Sequence, residues 1–134
     1  MKKLLYFLLA LILIAIIGYF VLLNLPKASI KGNDAAFTVS AANLYSEFES
    51  NEQTANQKYI GKTIIVEGVI TEIDKDKNGS DVLFLKSENE INGILCTLES
   101  GQSSDFQINQ SIRIKGLSTG FLQDVVLNKG IILN

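Results

Sequence analysis

The sequence predicts a small all-β barrel of five strands, with one helix before it and a transmembrane helix before that. Three observations carry this. Residues 4–23, LLYFLLALILIAIIGYFVLL, run for twenty positions without a charge or a strongly polar group. From residue 62 onward, five stretches rich in β-branched residues follow one another with short Asp-, Asn-, Gly- and Ser-bearing connections. The first of these stretches is long and carries Gly68 at its middle.

Twenty residues at about 1.5 Å rise match the roughly 30 Å of a bilayer's hydrocarbon. A core helix of that length would show a polar stripe, and this one has none. Lys2 and Lys3 precede the run, so the amino end is expected in the cytoplasm and the remainder outside it. The apolar stretch is longer than a signal peptide's usual core of about 7–15 residues, and "NLPKAS" (24–29) is a poor small-x-small cleavage site. An uncleaved anchor is therefore expected over a cleaved signal. The expected organisation is a signal-anchor at 1–25, a linker at 26–37 and a barrel domain with its own helix at 38–134.

After the linker, Ser40 has the chemistry of an N-cap, and Leu44 and Phe48 share a helical face with Ala41 one turn earlier. That helix should end near Asn51, with a second short turn carrying Ala55 and Tyr59 to Gly61. It is too short to stand alone and must dock. Strands are expected at 62–74, 80–87, 93–100, 110–118 and 124–134. Ile112 and Ile114 alternating with Arg113 and Lys115 give the plainest half-buried pattern. A mid-strand glycine marks a bulge or a barrel corner. Five strands, the first long and bent, suit a small closed barrel of the OB type. The connection at 101–109 has room for one turn around Phe106 only, so the helix at 41–50 is the candidate to plug an end of the barrel.

Residues 34–134 carry eight Lys/Arg and fourteen Asp/Glu, a net charge of −6 that the whole-chain value of −2 conceals. An acidic domain repels phosphate backbones, which argues against nucleic acid as the partner. One cysteine excludes an internal disulfide. Cys96 alternates with Ile94 and Leu98 and reads as a core residue.

Two blocks then matter together. "NLYSEFESNEQTANQKYIGKTIIVEGVI" carries Ala55, Tyr59, Gly61, Lys62, Val66, Gly68 and Val69. "IRIKGLSTGFLQDVVLNKGIIL" carries Gly116, Gly120, Asp124, Val125, Leu127 and Ile131. In these features, over roughly residues 41–134, the chain resembles the tRNA_anti-like family of bacterial OB-fold proteins. That resemblance implies a small secreted, membrane-anchored or lipid-modified protein, and implies no activity. Many relatives have a cysteine pair in the last block where this chain has Ser118 and Gly130. Any thiol role there is absent here.

The candidate sites are few. Asp74, Asp76, Asn78 and Gly79 fit the first positions of a calcium-binding loop, but the twelfth, where a bidentate Glu belongs, is Leu85. The same residues read as a hairpin turn, because Asn-Gly is its strongest signal. Phe121 and Leu122, in the stretch 118–124, are candidate contact residues of an exposed loop. Their alternative is ordinary packing on the barrel rim. Arg113 and Lys115 join Phe121 as the residues an oligonucleotide would use. For catalysis there is no histidine, and neither "SSD" (103–105) nor Glu67 with Glu72 makes a convincing acid–base or nucleophile set. The expectation is a non-enzymatic binding module without a cofactor, in the bacterial cytoplasmic membrane with its domain outside, whose partner is a protein or an envelope component.

Overall fold

Buried residues recur at every second position along much of the barrel wall. In the computed structural model, residues 1–23, 29–88, 91–102 and 105–133 are described. Helix α1 (Lys2–Leu23) is followed by strand β1 (Phe37–Ser40) and helices α2 (Ala41–Ser50) and α3 (Glu52–Tyr59). Then come β2 (Thr63–Lys75), β3 (Asp81–Lys86), β4 (Gly93–Leu98), β5 (Ser111–Phe121) and β6 (Val125–Leu133). Strands β2 to β6 close a five-stranded barrel in the order β2-β3-β4-β6-β5 and back to β2. All its pairs are antiparallel except β4 with β6. This is the OB arrangement expected from the sequence.

Strand β2 reaches two neighbours because it is long. Its residues 63–69 pair with β5, and from Ile70 onward it pairs with β3. The change of face occurs at a register shift between Ile70 and Glu72, two residues later than the glycine suggested. Gly68 has a different task. A Cβ built there would lie 3.0 Å from Ala41 Cβ, so its bareness lets the first turn of α2 settle on the strand. The barrel is filled by Ile64, Val66, Ile70, Leu83, Leu85, Ile94, Cys96, Ile114 and Leu127, all buried. Cys96 is fully enclosed, and burial pushes its thiol pKa far up.

Ser40 caps α2 by accepting a hydrogen bond from Asn43 N at 3.2 Å, and Asn51 caps α3 through Thr54 N at 3.1 Å. The two helices are clamped by one carboxylate. Glu47 receives Lys58 Nζ at 2.7 Å and the Tyr59 hydroxyl at 2.9 Å. The Glu47 bond holds the Lys58 pKa above its ordinary value, while burial raises that of Tyr59.

Leu44 and Phe48 of α2 reach into one end of the barrel, as their spacing predicted. It is the end formed by the starts of β4 and β6, since the Asn92 side-chain amide donates to the Tyr45 hydroxyl at 3.2 Å. The 99–110 connection lies at the far end of β4, where an inter-strand helix would otherwise sit. Phe106 packs there against the core without a helical turn.

The sequence reading missed two features. Phe37–Ser40 forms a sixth strand, parallel to β2. The stretch expected as linker at 26–37 is, from residue 29, laid along the barrel. Ser29 Oγ donates to Glu99 Oε2 at 2.9 Å, Lys115 Nζ donates to Lys31 O at 3.1 Å, and Ala36 N donates to Thr63 O at 2.8 Å. Ile30 is buried at 3% exposure. The first part of that linker, residues 26–28, lies outside the described residues, as do Asn24 and Leu25 at the end of the expected anchor and Ser103 and Ser104.

Helix α1 is exposed over Tyr6–Leu23, and that stretch is long and apolar enough to cross a membrane.

Candidate interaction surface

Phe121 and Leu122 part company at the end of β5. The sequence placed both in a loop. The structure places Phe121 on the last residue of β5, with its ring 5.1 Å from Phe48 and 6.0 Å from Tyr45. A register shift between Ser118 and Gly120 turns the strand so that this ring faces the helices. This is the rim packing that the sequence reading set beside the contact role, and the ring remains partly buried rather than fully enclosed. Leu122, one residue on, is 92% exposed.

A second apolar tip stands nearby. The loop between β3 and β4 presents Ile91 at 82% exposure. The two loops are joined by a hydrogen bond from Gly93 N to Asp124 Oδ1 at 2.9 Å. Leu122 and Ile91 thus each lie two residues from one bond. The β3–β4 loop is braced from inside by the Ser87 hydroxyl, which donates to Asn92 O, and by Asn92 on Tyr45. Sequence reasoning passed over Ile91, since a lone isoleucine in "SENEING" shows no period. The adjacency of two loops distant in sequence could not be seen there.

Beside this end, between α3 and β5, a shallow cavity of about 620 Å³ is lined by Glu52, Asn56, Ile60, Gly120 and Phe121 among others. Its polar lining is the Glu52 carboxylate, the amides of Asn56 and Gln57, and Thr119.

Arg113 and Lys115 lie on the outer face of β5, away from Leu122. Arg113 Nε sits 2.7 Å from Glu67 Oε1, at the edge of an open groove of about 630 Å³ that also includes Ser111 and Ile132. Lys115 is held on the Lys31 carbonyl. Neither base is brought together with Phe121.

Asp76 and Asn78 lie in a tight turn, and Asp74 lies before it on β2. One oxygen of Asp76, Oδ1, accepts from Asn78 N at 2.8 Å and Ser80 N at 2.9 Å, and Gly79 takes the left-handed φ of 79°. Asp74 Oδ1 turns to Lys75 N, and Lys75 Nζ reaches Asp81 at 2.6 Å. Among the described residues, no group of three or more His, Cys, Asp or Glu is placed to hold a metal ion.

With barrel and surface in view, comparison with known proteins is informative. The tRNA_anti-like family profile matches residues 1–132. The chain belongs to the tRNA_anti-like family. The match to this tRNA_anti-like protein includes the apolar helix, beyond the two blocks that suggested the resemblance. Among solved structures it is similar to a "putative nucleic acid-binding lipoprotein" from Klebsiella pneumoniae. The TM-score is 0.58 and the identity 20%, over 72% of this chain and 91% of the other. At that identity the likeness shows a shared fold. No curated protein matches the sequence.

Proposed function

We propose that the protein is a non-enzymatic interaction module. It is held by α1 at the outer face of a bacterial cytoplasmic membrane, with the amino end inside and the OB barrel outside. Its partner is a protein or another component of the envelope. The observation that carries this is the helix-capped end, where an almost fully exposed leucine stands on a rim made rigid by the Phe121–Phe48–Tyr45 cluster. Rigid support with an exposed apolar tip is how binding anchors are presented. The uncharged run over residues 4–23, with Lys2 and Lys3 before it, supports the anchoring and its direction. Reporter fusion tests the location. Alkaline phosphatase joined after residue 134 should be active and a green fluorescent protein dark, and the reverse result would retire the reading.

A second reading is favoured by one finding, that a protein of the same fold is called nucleic acid-binding. A single strand would then follow Arg113 and Lys115 on β5. Both are already engaged, one by Glu67 and one by a backbone carbonyl, and the domain carries net −6. Labelled single-stranded DNA and RNA, titrated by anisotropy onto the full chain in detergent at about 50 and 200 mM salt, decide between the two. The interaction reading expects no binding at the lower salt. Sub-micromolar binding that falls steeply with salt and weakens with Arg113→Ala would reverse the ranking.

A further inference from the structure

We infer that the end of the barrel carrying Leu122 and Ile91 is a docking surface for a protein with an apolar recess bordered by lysine or arginine, and that the surface faces away from the membrane. This rests on the outward location proposed above. Two exposed large apolar residues on separate loops are not scattered surface leucines. They are held in register by the Gly93–Asp124 hydrogen bond and backed by Tyr45 through Asn92, so little ordering is left for binding to impose.

Two observations choose the occupant. The first is the path of the chain leaving α1. It meets the barrel at Ser29 against Glu99, just past the last residue of β4. It crosses β5 at Lys115 and arrives at the start of β2 only with Ala36. Residues 91–92 and 122–124 stand at the opposite end of β4 and β6 from that first contact. Five residues separate Leu23 from Ser29, an extended reach of roughly 20 Å. The end bearing 99–110 is therefore held next to the bilayer, and Leu122 points outward, so a lipid surface is the wrong occupant.

The second is charge. Among the described residues of these two loops, 87–88, 91–93 and 118–125, the charged side chains are Glu88 and Asp124, with no lysine or arginine. Glu52 lies beside Phe121 in the adjoining cavity. The nearest base in sequence is Lys86. An acidic border around apolar tips repels anionic lipid and polyanions, and it accelerates encounter with a cationic rim.

A photo-crosslinking residue placed in the full chain at 91, at 122 and, as control, at Asn78 on the far hairpin tests this in intact cells. The expected result is one protein adduct of the same mass from 91 and 122 and none from 78. Adding Glu52→Lys with Glu88→Lys should reduce that adduct at least tenfold, with the thermal unfolding of the purified variants unchanged. Lipid adducts, an adduct of twice the chain's own mass, an adduct indifferent to the charge reversals, or none at 91 and 122 would each overturn the proposal. The phosphatase fusion separates the two readings. An active reporter without adducts removes the docking surface alone, and an inactive one removes the location and the orientation with it.

Discussion

Ser118 is the residue whose chemistry fits its place least well. Its side chain is completely buried, and its hydroxyl has no hydrogen-bond partner among the described residues, although its backbone is doubly tied to Gly61 and Lys62. A buried hydroxyl that gives up water and gains nothing costs on the order of 1–3 kcal/mol. Ser118→Ala removes that cost while leaving only the volume of one oxygen. It should raise the midpoint of urea unfolding by the equivalent of about 1 kcal/mol, and a lowered midpoint would mean the hydroxyl has a partner after all. Arg113 gives the opposite lesson. Its pair with Glu67 is about half exposed, and such pairs contribute about 0–1 kcal/mol. Arg113→Ala should leave the same midpoint within about 0.5 kcal/mol, so any loss of binding in that variant reports on binding and not on folding.

At the level of elements, residues 29–36 form a strap along the barrel, between α1 and β1 in the chain. Its hold is concentrated at Ile30, since the other contacts are single hydrogen bonds near the surface. Ile30→Ser gives up the burial of one side chain, about 2 kcal/mol, and should release the strap without opening the barrel. Hydrogen exchange checks this, with Ala36 N, bonded to Thr63 O, losing protection while amides of β5 keep theirs. Equal loss across β5 would show that the strap is part of the cooperative unit. The sequence could not announce such a strap. One buried isoleucine among Ser, Lys, Gly and Asn has no period, and β1 is four residues long with three half-buried positions and one exposed. The five barrel strands were legible because each is rich in β-branched and other apolar residues and is bounded by short connections bearing Asp, Asn, Gly or Ser. Leu44 and Phe48 were legible from their helical spacing. Phe121 was misplaced because the phase of β5 changes at Ser118 and Gly120, and a register shift leaves no mark in composition. Ile91 was missed because the partner that makes it interesting is thirty-one residues away.

For the whole molecule, the titrating groups that respond to folding point to the alkaline side. Cys96 at the centre of the barrel must stay a neutral thiol, because burial disfavours the thiolate. Tyr59 and Lys58 on the α2–α3 clamp also hold their protons more tightly when folded. For each, the folded pKa lies above the unfolded one. Above the unfolded value the unfolded chain has therefore lost a proton that the folded chain retains, and stability falls as pH rises. Cys96 acts first, since an unperturbed thiol titrates near 9.0 against 10.0 for tyrosine and 10.5 for lysine. Unfolding free energy should hold level up to about pH 8.5 and then fall, approaching 1.4 kcal/mol per pH unit from Cys96 alone. Replacing the thiol isolates its share. Cys96→Ala is less stable throughout, from the small void it leaves, but its curve should stay level for about one further pH unit before the clamp begins to yield. Urea titrations followed by circular dichroism between pH 7 and 10.5 give both curves. Parallel curves would mean that water reaches Cys96, and that the barrel between α2 and Phe106 is open where its packing says it is closed.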